Sequence, residues 1–218
     1  ASSFLTVQSV FSHLAASEDP LMDDFTNEQG TKFKQAIALI ETQLTYSFLK
    51  HICNSAAIIR HPHLQMDMVR LGIGLYGIEP DAGDRLPLQA VATLHSTIAQ
   101  IKKVKKGESV SYNRRGVVQR DSLIATVRIG YADGYSRRFG NGVGLMLVKG
   151  IKVPVIGSVC MDMTMIDVTD IAGVNEGDDV IIFGSSLPVE DIANMIATIP
   201  YEIMTSVSQR VKRVYYYE

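Results

Sequence analysis

The spacing of apolar and polar positions changes character near residue 88 of the chain. Before that point, strand signals alternate with helix signals. Apolar residues recur at helical spacing over residues 27–45, which predicts an amphipathic helix. Short apolar runs predict strands at residues 4–11, at 48–53 and up to 68–70, and Asn54 or Ser55 is placed to cap a short helix after the second strand. This alternation predicts a parallel β/α sheet or barrel.

After residue 88 the helical spacing disappears for about a hundred residues, as in a sheet-rich domain. Strands are predicted at residues 91–101, 123–131, 144–148, 152–156, 164–168 and 180–183, with turns at 149–150 and 176–178 and helices at 188–197 and after Pro200. The pattern therefore predicts an α/β plus β fold class: a parallel β/α sheet or a partial parallel β/α barrel over residues 1–85, then a mainly β domain over residues 86–218. A Pro- and Gly-containing linker is predicted at residues 80–87. A complete eight-fold barrel takes about 250 residues, so only the last part of one fits here.

Composition narrows the possible functions. The chain has 218 residues, of which 46% are hydrophobic and 20% charged, and its formal net charge is −2. No overall field attracts nucleic acid or an anionic membrane. No apolar run reaches the length of a membrane span, and no signal peptide is recognised. Two cysteines without C-x-x-C spacing support neither a disulfide framework nor a metal site, which favours a reducing cytoplasm. The first residue is not Met, which suggests a processed or truncated start.

The segment at residues 110–115 places Tyr112 in a polar loop before Arg114 and Arg115. An unperturbed phenol has a pKa near ~10, so a tyrosine acts as a base at neutral pH only where cations favour the phenolate. The arginines are candidates for that field. Taken alone, the segment is better explained as a surface turn whose tyrosine lies flat on a strand.

Two loops carry candidate anion sites. Gly72 and Gly74 follow Arg70 after a predicted strand, and their backbone N–H groups are free to approach a phosphate closely. Asn54 and Ser55 lie between a strand and a short helix, where they either cap the helix or join the same phosphate site. A glycine-rich helix end with a surface arginine is the alternative for the first loop.

Histidines and a thiol complete the list of candidates. His13 and His51 each end a predicted strand, at the edge where α/β proteins bind ligands, although either fits a structural role. The pair at positions 61 and 63 has no further ligand at metal-binding spacing, so no metal is predicted. Cys160 has no neighbour in sequence that would activate it as a nucleophile. The segment at 129–138 combines tyrosines with tandem arginines that either bind carboxylates or form a solvated turn.

Taken in order, these motifs resemble alanine racemases, pyridoxal-phosphate enzymes with an N-terminal β/α barrel and a C-terminal β domain. The resemblance spans essentially the whole chain. It rests on His51-x-x-Asn-Ser-Ala56, Arg70-x-Gly-Ile-x-x-Tyr-Gly77, Ser111-Tyr112, Ile129-Gly-Tyr-Ala-Asp-Gly134 and Val159-Cys-Met-Asp162.

The resemblance implies a role for each matching residue. Tyr112 would be the base that takes the α-proton of L-alanine, in the active site of the partner subunit of a homodimer. Arg70 would face the pyridine nitrogen of pyridoxal 5'-phosphate, with His51 holding it and His13 beside the ring. The implied phosphate contacts are Ser55, Gly72 and Ile73, with Asn54 adjacent. Met161 would contact the substrate carboxylate through its backbone, and Tyr131 would lie at the substrate entrance.

The implied chemistry is two-base interconversion of L- and D-alanine in the cytoplasm, supplying D-alanine for peptidoglycan. The family's cofactor lysine and its carboxylate-binding arginine have no match in this chain, so the chain by itself is expected to be inactive. Asn113 replaces the usual glycine after the tyrosine, and Gln209 and Lys212 replace a tyrosine and a proline near the end. Two alternatives remain: a related pyridoxal-phosphate racemase or decarboxylase, and a non-catalytic pyridoxal-phosphate-binding module.

Overall fold

The computed structural model of the protein describes residues 4–79 and 86–216. The chain divides into two compact units, residues 1–91 and 92–218. The predicted linker lies largely outside the described residues, and the domain boundary predicted after residue 85 stays a prediction.

The first unit contains two parallel strands connected through a long helix. Its strands and α-helices are β1 (Ser9–Phe11), α1 (Asp23–Glu41), β2 (Leu49–His51) and α2 (Ser55–Arg60). Strands β1 and β2 pair in parallel, with Phe11 opposite His51. The predicted strand–helix–strand order is confirmed, although both strands are shorter than the sequence pattern indicated.

The third strand predicted in this unit is wrong. The chain around residues 65–72 is extended without a regular ladder. Asp67 and Arg70 donate their backbone N–H groups to the carbonyls of Lys50 and Cys53, at 3.1 and 2.9 Å. The Asp67 carboxylate in turn accepts the Lys50 N–H at 2.8 Å, so a side chain occupies the place of a strand carbonyl. An apolar run in the sequence does not reveal that a side-chain oxygen has replaced a backbone carbonyl as the acceptor.

Helix α1 packs its apolar face on the strands. The core of this unit joins that face to α2 and to residues that flank the two strands; its members are Leu14, Phe33, Ile37, Phe48, Ile52, Cys53, Ala57 and Leu64. Gly30 allows the close approach, because a Cβ there would lie 2.5 Å from Leu64 Cδ2. This core fixes the ends of β1 and β2, where the candidate residues lie.

The second unit is built on a six-stranded antiparallel sheet. Its members are β3 (Leu94–Val104), β6 (Ser122–Val127), β7 (Leu145–Val148), β8 (Ile151–Pro154), β9 (Thr164–Asp167) and β10 (Asp179–Phe183). The order is β8-β7-β10-β3-β6-β9. The two edges meet where the Ile156 N–H donates to the Met165 carbonyl at 2.9 Å and Val155 bridges Ile166. The sheet therefore nearly closes on itself, which protects its edges.

All six strands predicted for this region are present. The helices α3 (Val189–Met195) and α4 (Pro200–Ser206) are also where the sequence pattern put them. The turn at Lys149 and Gly150 has φ of 50° and 78°, as a two-residue hairpin turn requires. A small hairpin, β4 (Ser109–Val110) and β5 (Gly116–Val117), was not predicted. Strands of two residues are too short to show an alternation of apolar and polar positions. Among the described helices, none has the length and apolar character that crossing a membrane demands.

Candidate active site

Arg70 is fixed at the carboxyl ends of β1 and β2. Its Nη1 lies 2.7 Å from His51 Nδ1, and its Nη2 donates to the carbonyls of Ser12 and Ile52 at 2.8 and 3.2 Å. Each of those carbonyls follows the last residue of a strand. His13 Nδ1 lies 3.4 Å from Nη2, at the limit of a hydrogen bond. The structure thus gathers two of the predicted residues, His51 and His13, around the guanidinium of a third, Arg70.

The imidazole of His51 is held neutral by its surroundings. Burial lowers the pKa of His51, and the positive charge of Arg70 lowers it further. Because arginine only donates, Nδ1 must accept its hydrogen bond, which puts the ring proton on Nε2. Phe11 stacks on the imidazole with ring centroids 5.4 Å apart, and Arg70 Cζ is also 5.4 Å from the Phe11 centroid. The aromatic ring therefore fixes both partners of the pair.

The second group joins Ser55 to the glycine loop. The buried Ser55 Oγ accepts the Gly72 N–H at 2.9 Å and lies 3.4 Å from the Gly74 nitrogen. A Cβ at Gly72 would meet only the Ser55 hydroxyl, at 3.7 Å, so the space beside Gly72 is open. In the described part of the chain the Ile73 N–H makes no hydrogen bond. A hydroxyl and unpaired backbone N–H groups are the donors that a phosphate needs.

Asn54 is the N-cap of α2. Its Oδ1 accepts the Ala57 N–H at 3.0 Å and the Ser17 hydroxyl at 2.8 Å. The capping role that the sequence left open is thus present, and it aims Ser55 at the glycine loop. Any contact from Asn54 to a phosphate stays a prediction.

Tyr112 lies at the tip of the β4–β5 hairpin, with 71% of its surface exposed. Three residues around it have positive φ: Ser111 at 69°, Asn113 at 55° and Arg114 at 53°. Asn113 occupies the left-handed region that the replaced glycine would favour, and asparagine tolerates it. Arg114 donates through Nε to Ser109 Oγ at 3.0 Å. This guanidinium nitrogen is therefore bound to the first strand of the hairpin.

A cavity of about 570 Å³ lies beside the tyrosine, within the second unit. Tyr112, Ser111, Cys160 and Met161 all line it. The Met161 carbonyl accepts the Ala132 N–H at 3.0 Å, whereas the Met161 N–H has no partner among the described residues. The structure therefore brings the candidate base and the candidate carboxylate contact to one cavity and leaves a backbone donor free there.

Tyr131 begins a single 3₁₀ turn next to this cavity. Its N–H donates to the Cys160 carbonyl at 3.0 Å, which ties the turn to the chain just before Met161. Of the tandem arginines that follow, Arg138 donates to the Ile196 carbonyl and so has a structural contact. Burial raises the pKa of Tyr135, whose hydroxyl has no partner in the described structure, so this second tyrosine is part of the core.

Models of two domains match the chain. The alanine racemase N-terminal domain matches residues 1–80, and the alanine racemase C-terminal domain matches residues 91–215. The chain belongs to the alanine racemase family. "Alanine racemase 2" of Caldanaerobacter subterraneus subsp. tengcongensis is 41% identical over 219 residues, which cover 98% of this chain and 56% of that protein. The chain thus spans little more than half the length of this racemase.

Solved alanine racemases share the fold. The enzyme from Bartonella henselae, with covalently bound pyridoxal phosphate, has a TM-score of 0.86 and 34% identity, covering 96% of this chain and 56% of that one. The enzyme from Clostridium difficile 630 in complex with cycloserine gives the same four values. A barrel portion followed by a β domain, as predicted, is the architecture of this family.

Sequence reasoning missed the groups that hold the candidate site residues in place. The Ser111 hydroxyl, Phe11 and Arg210 all make contacts that no local motif announces. The contact of Phe11 with His51 depends on the parallel register of β1 and β2. Arg210 is 48 residues from Asp162, a carboxylate it contacts, so its contact depends on the fold alone.

Proposed function

We propose that this chain is part of an alanine racemase that interconverts L- and D-alanine with pyridoxal 5'-phosphate. The single observation that carries the proposal is the cavity shared by Tyr112 and Met161, with a free backbone donor beside an exposed phenol. Family membership adds the fold and the order of the motifs. The full-length protein would be a cytoplasmic homodimer that supplies D-alanine for peptidoglycan.

The residues of the first unit fit the cofactor. Ser55, Gly72 and Ile73 would hold its phosphate, because the open space beside Gly72 and the Ile73 N–H suit an anion. Arg70 would face the ring nitrogen, and its Nη1 and Nη2 are already engaged by His51 and two carbonyls. The Nε–H is therefore the donor left for a ligand, since it has no partner among the described residues. Pyridoxal phosphate, when bound, supplies an electron sink for the carbanion that α-proton removal leaves.

The chain's own contribution to the reaction is to position and move a proton. Tyr112 would take the α-proton of L-alanine at its phenolic oxygen, and a base on the opposite face would serve D-alanine. The Met161 N–H would donate to the substrate carboxylate, and Tyr131 would border the entrance. Arginine does not release its proton, so Arg70 would keep the ring nitrogen unprotonated and the electron sink moderate.

The test uses the full-length racemase with Tyr112→Phe. Racemisation should fall by about 10²- to 10⁴-fold, the usual range for a lost general base. It should fall in both directions, because the overall equilibrium fixes the ratio of the two kcat/KM values. Exchange of the α-proton with deuterated water separates the two faces: the variant should exchange D-alanine and fail to exchange L-alanine.

The matched control is Tyr135→Phe, which removes a buried hydroxyl without a partner in the described structure. It should leave both rates unchanged. A full-length protein that binds pyridoxal phosphate without racemising alanine would contradict the proposal, as would L-alanine exchange that survives in the Tyr112 variant.

A further inference from the structure

Arg210 joins two carboxylates that belong to two different loops. Its Nε lies 2.7 Å from Asp133 Oδ1, and its Nη2 lies 2.6 Å from Asp162 Oδ1. Both carboxylates raise the pKa of Arg210. The side chain is already charged at the ordinary pKa of arginine, so the pair strengthens a permanent positive charge. Asp133 ends the turn that Tyr131 begins, and Asp162 directly follows Met161. The planar guanidinium therefore bridges the Tyr131 turn and the Met161 loop, and the second of these lines the cavity.

The same two loops are joined through their backbones. Tyr131 and Ala132 donate to the carbonyls of Cys160 and Met161, each at 3.0 Å. Gly130 makes this contact possible, since a Cβ there would lie 2.3 Å from the Met161 oxygen. The Cys160 carbonyl shares a rigid peptide plane with the Met161 N–H, so a shift of the Tyr131 turn would pull on that carbonyl and turn the Met161 N–H.

Asp133 is the point where the network is anchored. Its Oδ2 accepts the Gly130 N–H at 2.8 Å, and its carbonyl accepts the Ser208 N–H at 3.0 Å. Its side chain is only 14% exposed, whereas that of Asp162 is 55% exposed. Arg210 thus connects a mostly buried, well-fixed carboxylate to an exposed carboxylate of the Met161 loop, in addition to the two backbone hydrogen bonds.

We propose that Arg210 is a positioning residue for substrate binding, which holds the Met161 loop and the Tyr131 turn at the separation that the amino-acid carboxylate requires. This inference rests on the proposed function. Arginine is suited to the task because its rigid fork binds two acceptors in one plane, which the flexible ammonium of lysine cannot do.

A purely stabilising role would predict a different pattern of effects. The Arg210–Asp162 pair is exposed, and exposed ion pairs add little to stability, so this part of the bridge contributes little to the fold. Its effect lies in geometry, where a displacement of about 1 Å is enough to cost activity. Positioning of the carboxylate contact should therefore raise KM and leave the proton-transfer step, and with it kcat, largely intact.

The experiment compares Arg210→Lys and Asp162→Asn with Arg120→Lys in the full-length protein. Arg120 pairs with Asp170 on the surface, so it repeats the same chemistry outside the two loops. For the first two variants we expect KM for alanine to rise on the order of tenfold with little change in kcat. The control should alter neither value. Equal KM in all four proteins, or a loss confined to kcat, would overturn the proposal.

Hydrogen exchange gives a second readout that does not need the reaction. The Tyr131 and Ala132 amides bond to the Met161 loop, so both should exchange faster in Arg210→Lys than in wild type or in the control. Unchanged protection of these amides would overturn the proposal even if KM rose. A full-length protein without racemase activity would defeat the proposed function alone, because the exchange measurement still decides whether Arg210 holds the loops.

Discussion

The Ser111 hydroxyl donates a hydrogen bond of 2.7 Å to the carbonyl oxygen of Ser158. Ser111 precedes Tyr112, and Ser158 opens the segment that leads to Met161. Ser111 has φ of 69° and ψ of 175°, a conformation that is almost restricted to glycine. The candidate base is thus held against the candidate substrate contact by a short bond on a strained residue.

Substitutions of Ser111 should separate the bond from the strain. Ser111→Ala loses the bond and keeps the strain, so it should destabilise the protein by about 1 kcal/mol. Ser111→Gly also loses the bond, but it releases strain worth about 1–3 kcal/mol, so it should be at least as stable as wild type. Both should lower activity because Tyr112 is held less firmly. Urea unfolding of the full-length protein measures the difference; a glycine variant less stable than the alanine variant would exclude stored strain.

Gly157 lies against Ser111 and should not tolerate a side chain. Its φ is 70°, and a Cβ there would lie 2.6 Å from Ser111 Cβ and 3.0 Å from the Val110 carbonyl. Gly157→Ala should therefore displace the Tyr112 hairpin and reduce racemisation. Gly177→Ala is the matched control, since its φ is 92° and nothing lies within 4 Å of the added carbon.

Both glycine variants carry backbone strain of about 1–3 kcal/mol, because φ is positive at both positions. Only Gly157→Ala adds the clash, so the excess loss of stability and activity in that variant reports the contact with Ser111. Thermal unfolding and a racemisation assay on the two proteins check this. Equal effects of the two substitutions would mean that the hairpin moves without cost.

The success of sequence reasoning followed the range of each interaction. The spacing of apolar residues predicted α1 and the six sheet strands correctly, because this spacing depends only on residues that are close in sequence. Strand ends placed His13 and His51 at one edge, and the structure brings both to Arg70. The prediction of a strand at 68–70 was wrong because the Asp67 carboxylate takes the place of a strand carbonyl as hydrogen-bond acceptor. The spacing of apolar residues does not reveal side-chain acceptors.

The contacts that hold the candidate site together were beyond sequence reasoning for a different reason. Ser111 and Ser158 are 47 residues apart, and Arg210 and Asp133 are 77 apart. Serine, arginine and aspartate are also common on surfaces, so their type gives no signal. Only the folding of the nearly closed sheet brings the two members of each pair together.

Ser55 should contribute to phosphate binding more than to stability. Its hydroxyl orients the Gly72 N–H and is itself a donor for an anion. Ser55→Ala in the full-length protein should weaken pyridoxal phosphate binding by about 10- to 100-fold, the range for a hydrogen bond to a charged group. Ser96→Ala removes a hydroxyl that donates to the Arg128 carbonyl, and it should leave the affinity unchanged. Fluorescence titration measures both; equal affinities would remove Ser55 from the site.

The His51–Arg70 pair should make stability fall in mildly acidic solution. Burial and the charge of Arg70 hold the pKa of His51 below its ordinary value of 6.5. As the pH falls through 6.5, the unfolded chain takes up a proton that the folded chain refuses, so stability is full above that value and is lost below it. His61, whose pKa burial also lowers, acts in the same direction. The variant His51→Gln keeps an acceptor for Arg70 and cannot titrate, so its stability should fall less steeply between pH 7 and 5.

Nitrogen NMR should show the His51 ring neutral, with its proton on Nε2, through the upper part of this range. Parallel stability curves for the two proteins, or a His51 ring that protonates at or above pH 6.5, would show that the pair does not hold the imidazole neutral.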